Sequence, residues 1–349
     1  MTTTTMLDGR AEGQLPAGRA AGEPQADARS TPTNAGAAAP TVAILVPCYN
    51  EAVTIAAVVA DFQRTVPGAI VYVFDNNSTD GTAEVARRAG AVVSGVRDQG
   101  KGSVIRRMFA DIEADVYVLV DGDDTYDATA AQALIDGVLI DGRDMVVGTR
   151  RTDEQAAYRA GHRFGNWMLT SCAAWLFGRT FTDMLSGYRA FSRRFVKSFP
   201  AHASGFEIET ELTVHTLELR MPVAEIDTVY RSRPEGSESK LNTYRDGFRI
   251  LMTILRLLKA EKPLAFFSVG ALLCGLLSVG LALPLLDTYL KTGLVPRLPT
   301  AVLSVAIMLA GAMFLTCGIV LDTVTRGRSE TKRFAYLAEP GPLHLRSRR

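Results

Sequence analysis

From Thr41 onward, short apolar runs alternate with stretches of helical periodicity. Residues 42–46 (VAILV) predict a buried strand ending at Pro47, and residues 54–66 a helix that stops at Pro67–Gly68. The rhythm then repeats. Strands are predicted at 70–74 (IVYVF), 91–94, 116–120 (VYVLV) and 145–147, with helices at 82–89, 103–113 and 129–137 between them. Strictly alternating elements of this kind predict an α/β fold, a mostly parallel, Rossmann-like sheet with helices on both faces. Such sheets bind ligands beyond the carboxyl ends of their strands, so the polar residues just after each strand are the ones that carry candidate chemistry.

The pattern changes again near the C-terminus. Residues 263–286 and 298–321 are two runs without a charged side chain. Each exceeds the ~20 residues that a bilayer-spanning helix needs. Buried core helices are the competing reading, but core helices seldom stay uncharged all round for that length. Only residues 287–297 separate the runs, so they predict a transmembrane hairpin. Arg245, Arg249, Arg256, Lys259 and Lys262 precede it, and Arg326, Arg328, Lys332 and Arg333 follow it. The intervening loop has only Lys291 and Arg297. The bias of basic residues places both termini and the α/β domain in the cytoplasm, on an inner or plasma membrane. Between domain and hairpin, Tyr244, Phe248, Leu251, Leu255 and Leu258 recur at helical spacing with basic residues interleaved. That suits an amphipathic helix on an anionic leaflet, with membrane lipids as partners; packing on the domain is the plainer alternative.

The expected organisation is a disordered Ala/Gly/Thr/Pro-rich leader at 1–40, a catalytic α/β domain at 41–241 and a juxtamembrane amphipathic helix at 242–262. A two-helix membrane hairpin at 263–325 and a basic cytoplasmic tail at 326–349 complete it. Gly270, Gly275, Gly280 and Gly311 permit close helix packing within or between chains, which leaves a homo-oligomer open.

Composition narrows the classes. The net charge of +1 offers no bulk attraction to a nucleic acid, so none is expected as a partner. Charged residues at 21% against 47% apolar exclude a disordered chain. The four cysteines, Cys48, Cys172, Cys274 and Cys317, contain no CxxC and read as small buried thiols in a reducing compartment. The four histidines show no metal-ligand spacing.

Three motifs follow strand ends. Val46-Pro47-Cys48-Tyr49-Asn50-Glu51 puts a ring, an amide and a carboxylate where a base and ribose can lie, although a strand-to-helix turn with an Asn cap has the same look. In residues 75–82 (DNNSTDGT), Asp75 can accept hydrogen bonds from a base or ribose, whereas Asp80 serves equally as a helix cap. Asp121-Gly122-Asp123-Asp124 clusters carboxylates that repel one another unless solvated or bound to a cation. With a diphosphate they suit an oxygen-ligated Mg²⁺ or Mn²⁺; an acidic surface turn is the alternative. Residues 95–101 match GxxxxGK, but position 102 is Gly where a P-loop needs the Ser/Thr that ligates Mg²⁺.

Together these motifs resemble family-2 glycosyltransferases of the GT-A fold, and more narrowly the polyprenyl-phosphate (dolichol-phosphate mannose or glucose synthase-like) sugar transferases with a C-terminal membrane hairpin. The carrying residues are VPCYNE at 46–51, DNNSTDGT at 75–82, GKG at 100–102, DGDD at 121–124 and GTR at 148–150. DMLSGYRAF at 183–191, GFEIETEL at 205–212 and SRPEGSESKLN at 232–242 extend the match. The resemblance implies an inverting transfer of a sugar from a nucleoside-diphosphate donor to a polyprenyl (undecaprenyl or dolichyl) phosphate on the cytoplasmic leaflet. A UDP-sugar such as UDP-glucose is favoured as donor, with GDP-mannose as the alternative. By position, Pro47, Tyr49, Glu51, Asp75, Asn77, Lys101, Asp121 and Gly122 would line the nucleotide-sugar, and Asp121 and Asp123 would hold Mg²⁺ or Mn²⁺. Asp183 falls where relatives place a catalytic carboxylate, with a helix cap or a partner for Arg189 as the other reading; Asp123 is the second catalytic candidate. Arg150, Arg163, Arg231, Arg233 and Lys240 match basic positions for the lipid phosphate, whose anionic oxygen is itself the nucleophile. Thr125 departs from relatives that carry a Gln there as a further ligand. A processive polysaccharide synthase, a non-catalytic membrane scaffold and a P-loop-like NTPase are the distant alternatives.

Overall fold

The computed structural model describes residues 39–151, 181–203, 207–231 and 255–342, with positions 171, 174, 175, 178, 205 and 252 between them. Seven strands form one sheet: β1 (Val42–Cys48), β2 (Ile70–Asp75), β3 (Val92–Gly95), β4 (Val116–Leu119), β5 (Met145–Arg151), β6 (Arg189–Ser192) and β7 (Val223–Val229), in the order β3-β2-β1-β4-β6-β5-β7. All neighbours pair in parallel except β6, which runs antiparallel to both β4 and β5. The fold is therefore α/β with a mostly parallel sheet.

Side chains alternate across the pleat and build two cores. Ala43 and Leu45 of β1, with Tyr117 and Leu119 of β4, face one core. Ile44 and Val46, with Val116 and Val118, face the other. On the second face lie α1 (Ile55–Thr65), through Ile55, Val58, Val59 and Phe62, and α4 (Ala131–Leu139), through Leu134, Ile135 and Val138. On the first face lie α3 (Lys101–Asp111), α5 (Arg193–Ser198) and α6 (Ile208–Glu218). Each fully buried large side chain contributes roughly 1.5–3 kcal/mol. The helix α2 (Thr82–Arg88) joins β2 to β3.

Differences from the expected elements have local causes. The third helix begins at Lys101 rather than 103, because the loop before it is anchored by Asn76. Its buried amide donates to Val96 O and Asp98 O, both at 2.9 Å, and accepts from Gly100 N at 2.7 Å. β5 runs on to Arg151 because β7 pairs with it residue for residue up to Arg151 and Val229. The four-residue β6 carries a fully buried arginine, which hides it from a hydropathy pattern. Arg189 donates to Ser186 O at 2.9 Å, Met184 O at 2.6 Å and Thr213 Oγ1 at 2.8 Å.

Two long helices follow, α7 (Pro263–Thr292) and α8 (Leu298–Ala338), each with a window of mean hydropathy 2.3 and both long and apolar enough to cross a membrane. Their leucines and valines are exposed all round except along one seam. There Gly311 packs on Cys274 and Ala271, Gly318 on Phe267 and Leu264, and Ser278 donates to Ser304 O at 2.7 Å. At 1.5 Å per residue, α8's 41 residues reach ~60 Å, about twice a bilayer's hydrocarbon core. The stretch expected as a tail from 326 is thus helical as far as Ala338. It docks on the α/β unit. Lys332 pairs with Glu218 at 2.6 Å, Tyr336 OH donates to Asp144 at 2.8 Å, and Arg193 pairs with Glu339 at 2.9 Å. Arg194 grips Asp144 at 2.6 and 2.7 Å and lies over the Tyr336 ring. Residues 252 and 255–261 are helical; 242–251, 253 and 254 of the expected amphipathic helix lie outside the described residues.

Candidate active site

The polar strand ends converge around Cys48. Burial pushes its thiol well up, and the neighbouring carboxylates of Glu51, Asp75, Asp121 and Asp123 push it further. This carboxylate ring sits beyond the carboxyl ends of β1, β2 and β4, where the topology of an open α/β sheet leaves room for a ligand.

At the end of β2, Asp75 Oδ2 accepts from Ser78 N at 3.1 Å, while Oδ1 is buried and has no hydrogen-bond partner among the described residues. A buried acceptor without a donor carries a desolvation cost, which a ligand N–H or O–H relieves. The turn after it is tied back to the first motif. Ser78 Oγ accepts from Asn50 N at 2.8 Å, and Asn50 Oδ1 accepts from Thr79 N at 2.9 Å. Asp80 accepts from Ala52 N at 3.0 Å and Thr82 N at 3.0 Å, which ties the start of the helix 82–88 to the first motif, while Gly81 holds the N-cap position. Pro47 lies in β1, and Tyr49 is exposed at the rim beside half-buried Glu51. Asn77 is turned to the loop before α3, donating to Arg97 O at 2.8 Å and Gln99 Oε1 at 3.1 Å.

After β4, Thr54 Oγ1 donates to Gly122 O at 2.6 Å and holds the acidic turn against α1. Gly122 has no room for a side chain, since a Cβ there would lie 2.7 Å from Cys48 Sγ. Gly187 is constrained from the opposite side, because its Cβ would collide with the Asp121 carboxylate. Asp121 Oδ1 faces the ammonium of Lys101 at 2.5 Å, and the same ammonium lies 2.6 Å from Glu209 Oε1. Burial works against the lysine's charge, but the two carboxylates outweigh it and push its pKa up. Asp123 is buried and accepts from Thr125 Oγ1 at 2.6 Å.

Two tyrosines connect this ring to a second, basic group. Tyr126 OH accepts from Gly187 N at 2.9 Å, and its ring packs on Tyr230 at 5.2 Å. Arg150, near the end of β5, lies over the Tyr230 ring at 5.6 Å. Its guanidinium meets Asp183 as a two-point fork, Nε to Oδ2 at 2.7 Å and Nη2 to Oδ1 at 2.8 Å. Burial raises the Asp183 pKa, yet the Arg150 fork prevails and holds the carboxyl below its ordinary value. Asp183 thus pairs directly with Arg150, and its charge also favours the buried guanidinium of Arg189. Arg231 is exposed, its guanidinium 3.6 Å from Asp127 and its backbone N–H bonded to Thr125 O at 2.8 Å. Arg163, Arg233 and Lys240 lie outside the described residues.

Sequence reasoning did not select Asn76, Tyr126, Gly187 or Tyr230 as site residues, and Glu209 entered only as part of the GFEIETEL motif. Asn76, Gly187 and Glu209 lie inside the motifs at 75–82, 183–191 and 205–212, which was the available signal; Tyr126 and Tyr230 lie outside them. Among the described residues no group of three His, Cys, Asp or Glu forms a ready metal cage. The donor set is two carboxylates, one already facing a cation, which fits a hard divalent ion whose remaining oxygens come from a diphosphate and water.

Residues 43–198 match the profile of glycosyl transferase family 2. The chain is 36% identical to glycosyltransferase AglJ of Haloferax volcanii over 299 residues, covering 85% of this chain and 98% of that protein. It is 29% identical over 221 residues to the dolichyl-phosphate hexose transferase of the same organism, covering 63% and 95% of the two chains. The structure of glucosyl-3-phosphoglycerate synthase from Mycobacterium tuberculosis with Mn²⁺, UDP and glucosyl-3-phosphoglycerate shares the fold at TM-score 0.52 and 24% identity, over 65% of this chain and 81% of that one.

Proposed function

The chain belongs to glycosyl transferase family 2, and from that premise we propose that it transfers a hexose from a nucleoside-diphosphate sugar to a polyprenyl phosphate at the cytoplasmic face of a membrane. One observation carries the reading. A carboxylate pair suited to a cation and an arginine preset for an anion lie on either side of the Tyr126–Tyr230 pair, beyond the same strand ends.

The residues divide the work as follows. Asp75 Oδ1 takes a donor N–H or O–H from the base or ribose, with Pro47, Tyr49 and Glu51 along the same strand end. Asp121 and Asp123 would hold Mg²⁺ or Mn²⁺, which supplies Lewis-acid stabilisation of the leaving diphosphate. Arg150, locked by Asp183 and seated on Tyr230, places its positive charge toward the acceptor phosphate, with Arg231 at the rim. Arginine's planar fork suits that ligand. An oxygen of the lipid phosphate forms the new bond to the anomeric carbon as the bond to the donor diphosphate breaks. The electron pair leaves with the nucleoside diphosphate, and the configuration inverts. The acceptor is already ionised, so no proton need be removed, and Asp183 acts by positioning Arg150 rather than as a base.

The helices α7 and α8 supply the membrane anchor. The excess of basic residues on the domain side supports a cytoplasmic orientation of the α/β unit and of both termini. The deciding experiment incubates purified protein with UDP- and GDP-sugars, undecaprenyl phosphate and Mg²⁺, and analyses the lipid fraction by mass. A lipid-linked hexose with one donor identifies base and sugar together; no lipid product from any donor, in folded protein, refutes the reading.

A further inference from the structure

Lys101 occupies an unusual place for a nucleotide-binding residue. Its ammonium is largely buried between Asp121 Oδ1 and Glu209 Oε1, and it is already paired with the carboxylate that the proposed function assigns to the cation. An ammonium and a divalent ion on one carboxylate oxygen repel each other strongly in a partly desolvated site. The backbone of Gly187 lies close to Asp121 Oδ2, the oxygen that Lys101 does not hold. Occupancy of Asp121 by a cation therefore requires Lys101 to let go of it.

Glu209 supplies somewhere for Lys101 to go. It is only 4% exposed, in the first turn of α6, and its second oxygen, Oε2, is buried without a hydrogen-bond partner among the described residues. That orphaned acceptor lies on the carboxylate that already holds the lysine. Asn76, by fixing Gly100, limits the movement to the lysine side chain and keeps the start of α3 in place. Resting on the metal assignment of the proposed function, we propose that Lys101 is a built-in counter-cation for Asp121 in the metal-free state. Glu209 is then the positioning residue that takes Lys101 over when a divalent cation arrives. The exchange improves the charge balance, since one ammonium faces two carboxylates before binding, whereas afterwards Lys101 neutralises Glu209 and the divalent cation neutralises Asp121 and Asp123.

The test is Mn²⁺ binding to the full-length protein in detergent, read as loss of the free-ion electron paramagnetic resonance signal, with and without UDP or GDP. Lys101→Met is expected to tighten Mn²⁺ binding by about tenfold or more without nucleotide, because the competing cation is gone. Glu209→Gln is expected to weaken it by about 10–100-fold, the range usual for groups behind metal ligands. In the Lys101→Met background, Glu209→Gln should have little further effect, which separates a role through Lys101 from a general field effect. Lys101→Gln serves if the methionine variant does not fold. Unchanged affinity on removing Lys101, or an equal Glu209→Gln effect with and without the lysine, overturns the exchange. If Asp121→Asn binds Mn²⁺ as the natural protein does, or if no variant binds Mn²⁺ even with nucleotide, the metal assignment itself fails, a result distinct from the first two.

Discussion

The guanidinium of Arg150 and the carboxylate of Asp183 meet as a two-point fork at 2.7 and 2.8 Å, bridging the end of β5 and the segment before β6. The fork fixes the plane and direction of the guanidinium at the carboxyl end of β5. Asp183→Asn should unlock Arg150 and lower kcat/KM for the lipid phosphate by about 100-fold, the cost of roughly 1 Å of misplacement, with little change in donor KM. Arg150→Lys should behave alike, because an ammonium cannot reproduce the fork. Steady-state kinetics with each substrate varied separately would show it; a loss confined to donor KM would assign the pair to the nucleotide side instead.

Gly187 leaves the room that the Asp121 carboxylate occupies. A methyl group there meets the Asp121 carboxylate, and the displaced carboxylate loses its place in the acidic ring. Gly187→Ala is expected to reduce turnover by at least about tenfold while the melting temperature shifts by only a few degrees. Activity at the natural level would mean that Asp121 need not sit where it does.

The docking of α8 on the α/β unit sets how the site is held relative to the anchor. Lys332–Glu218 at 2.6 Å and Tyr336–Asp144 at 2.8 Å tie the helix to α6 and to the sheet's supporting shell. The double substitution Lys332→Ala/Tyr336→Phe should speed amide hydrogen exchange over the last turns of α8 and lower activity toward membrane-embedded acceptor more than toward a short-chain soluble one. Equal losses with both acceptors would show that the strap supports folding only.

Much of this arrangement is legible in the chain. Residues 41–151 alternate so regularly because the central parallel strands β1 and β4 are buried on both faces and the helices between strands have one apolar side, and both signals are local. DGDD at 121–124 and the residues after β1 and β2 follow from where strands end. The second half resists reading. β6 is four residues long with a buried arginine, and α6 carries Glu209, His215 and several threonines into the interior, so polarity does not report exposure there. The roles of Glu209 and Tyr230 depend on partners more than 100 residues away in sequence or across the sheet, and no periodicity encodes such a pairing. Asp183 illustrates the limit, since its position in a motif suggested a catalytic carboxylate whereas its partner emerges only from the fold.

Glu261, just before α7, gives the molecule a pH dependence of definite sign. Burial, reinforced by Glu218, raises its pKa from 4.5 to about 7. The folded state therefore holds a proton that the unfolded state has released between those values. Stability from this group is full below about pH 4.5, falls as pH rises through that window, and levels off above about 7. Glu261→Gln should remove this component of the slope and raise the melting temperature at pH 8 relative to the natural protein. A variant less stable than the natural protein at pH 8 would place a needed negative charge at this position.

The central claim is that an Asp121/Asp123 cation site delivers a sugar to a lipid phosphate. Its most direct measurement is the rate of lipid-linked hexose formation against Mg²⁺ concentration, for the natural protein and for folded Asp123→Ala. The expected result is saturable Mg²⁺ dependence, abolished by chelator, in the natural protein and a rate at least about 100-fold lower in the variant. An unchanged rate in Asp123→Ala, or full turnover in chelator, would contradict it.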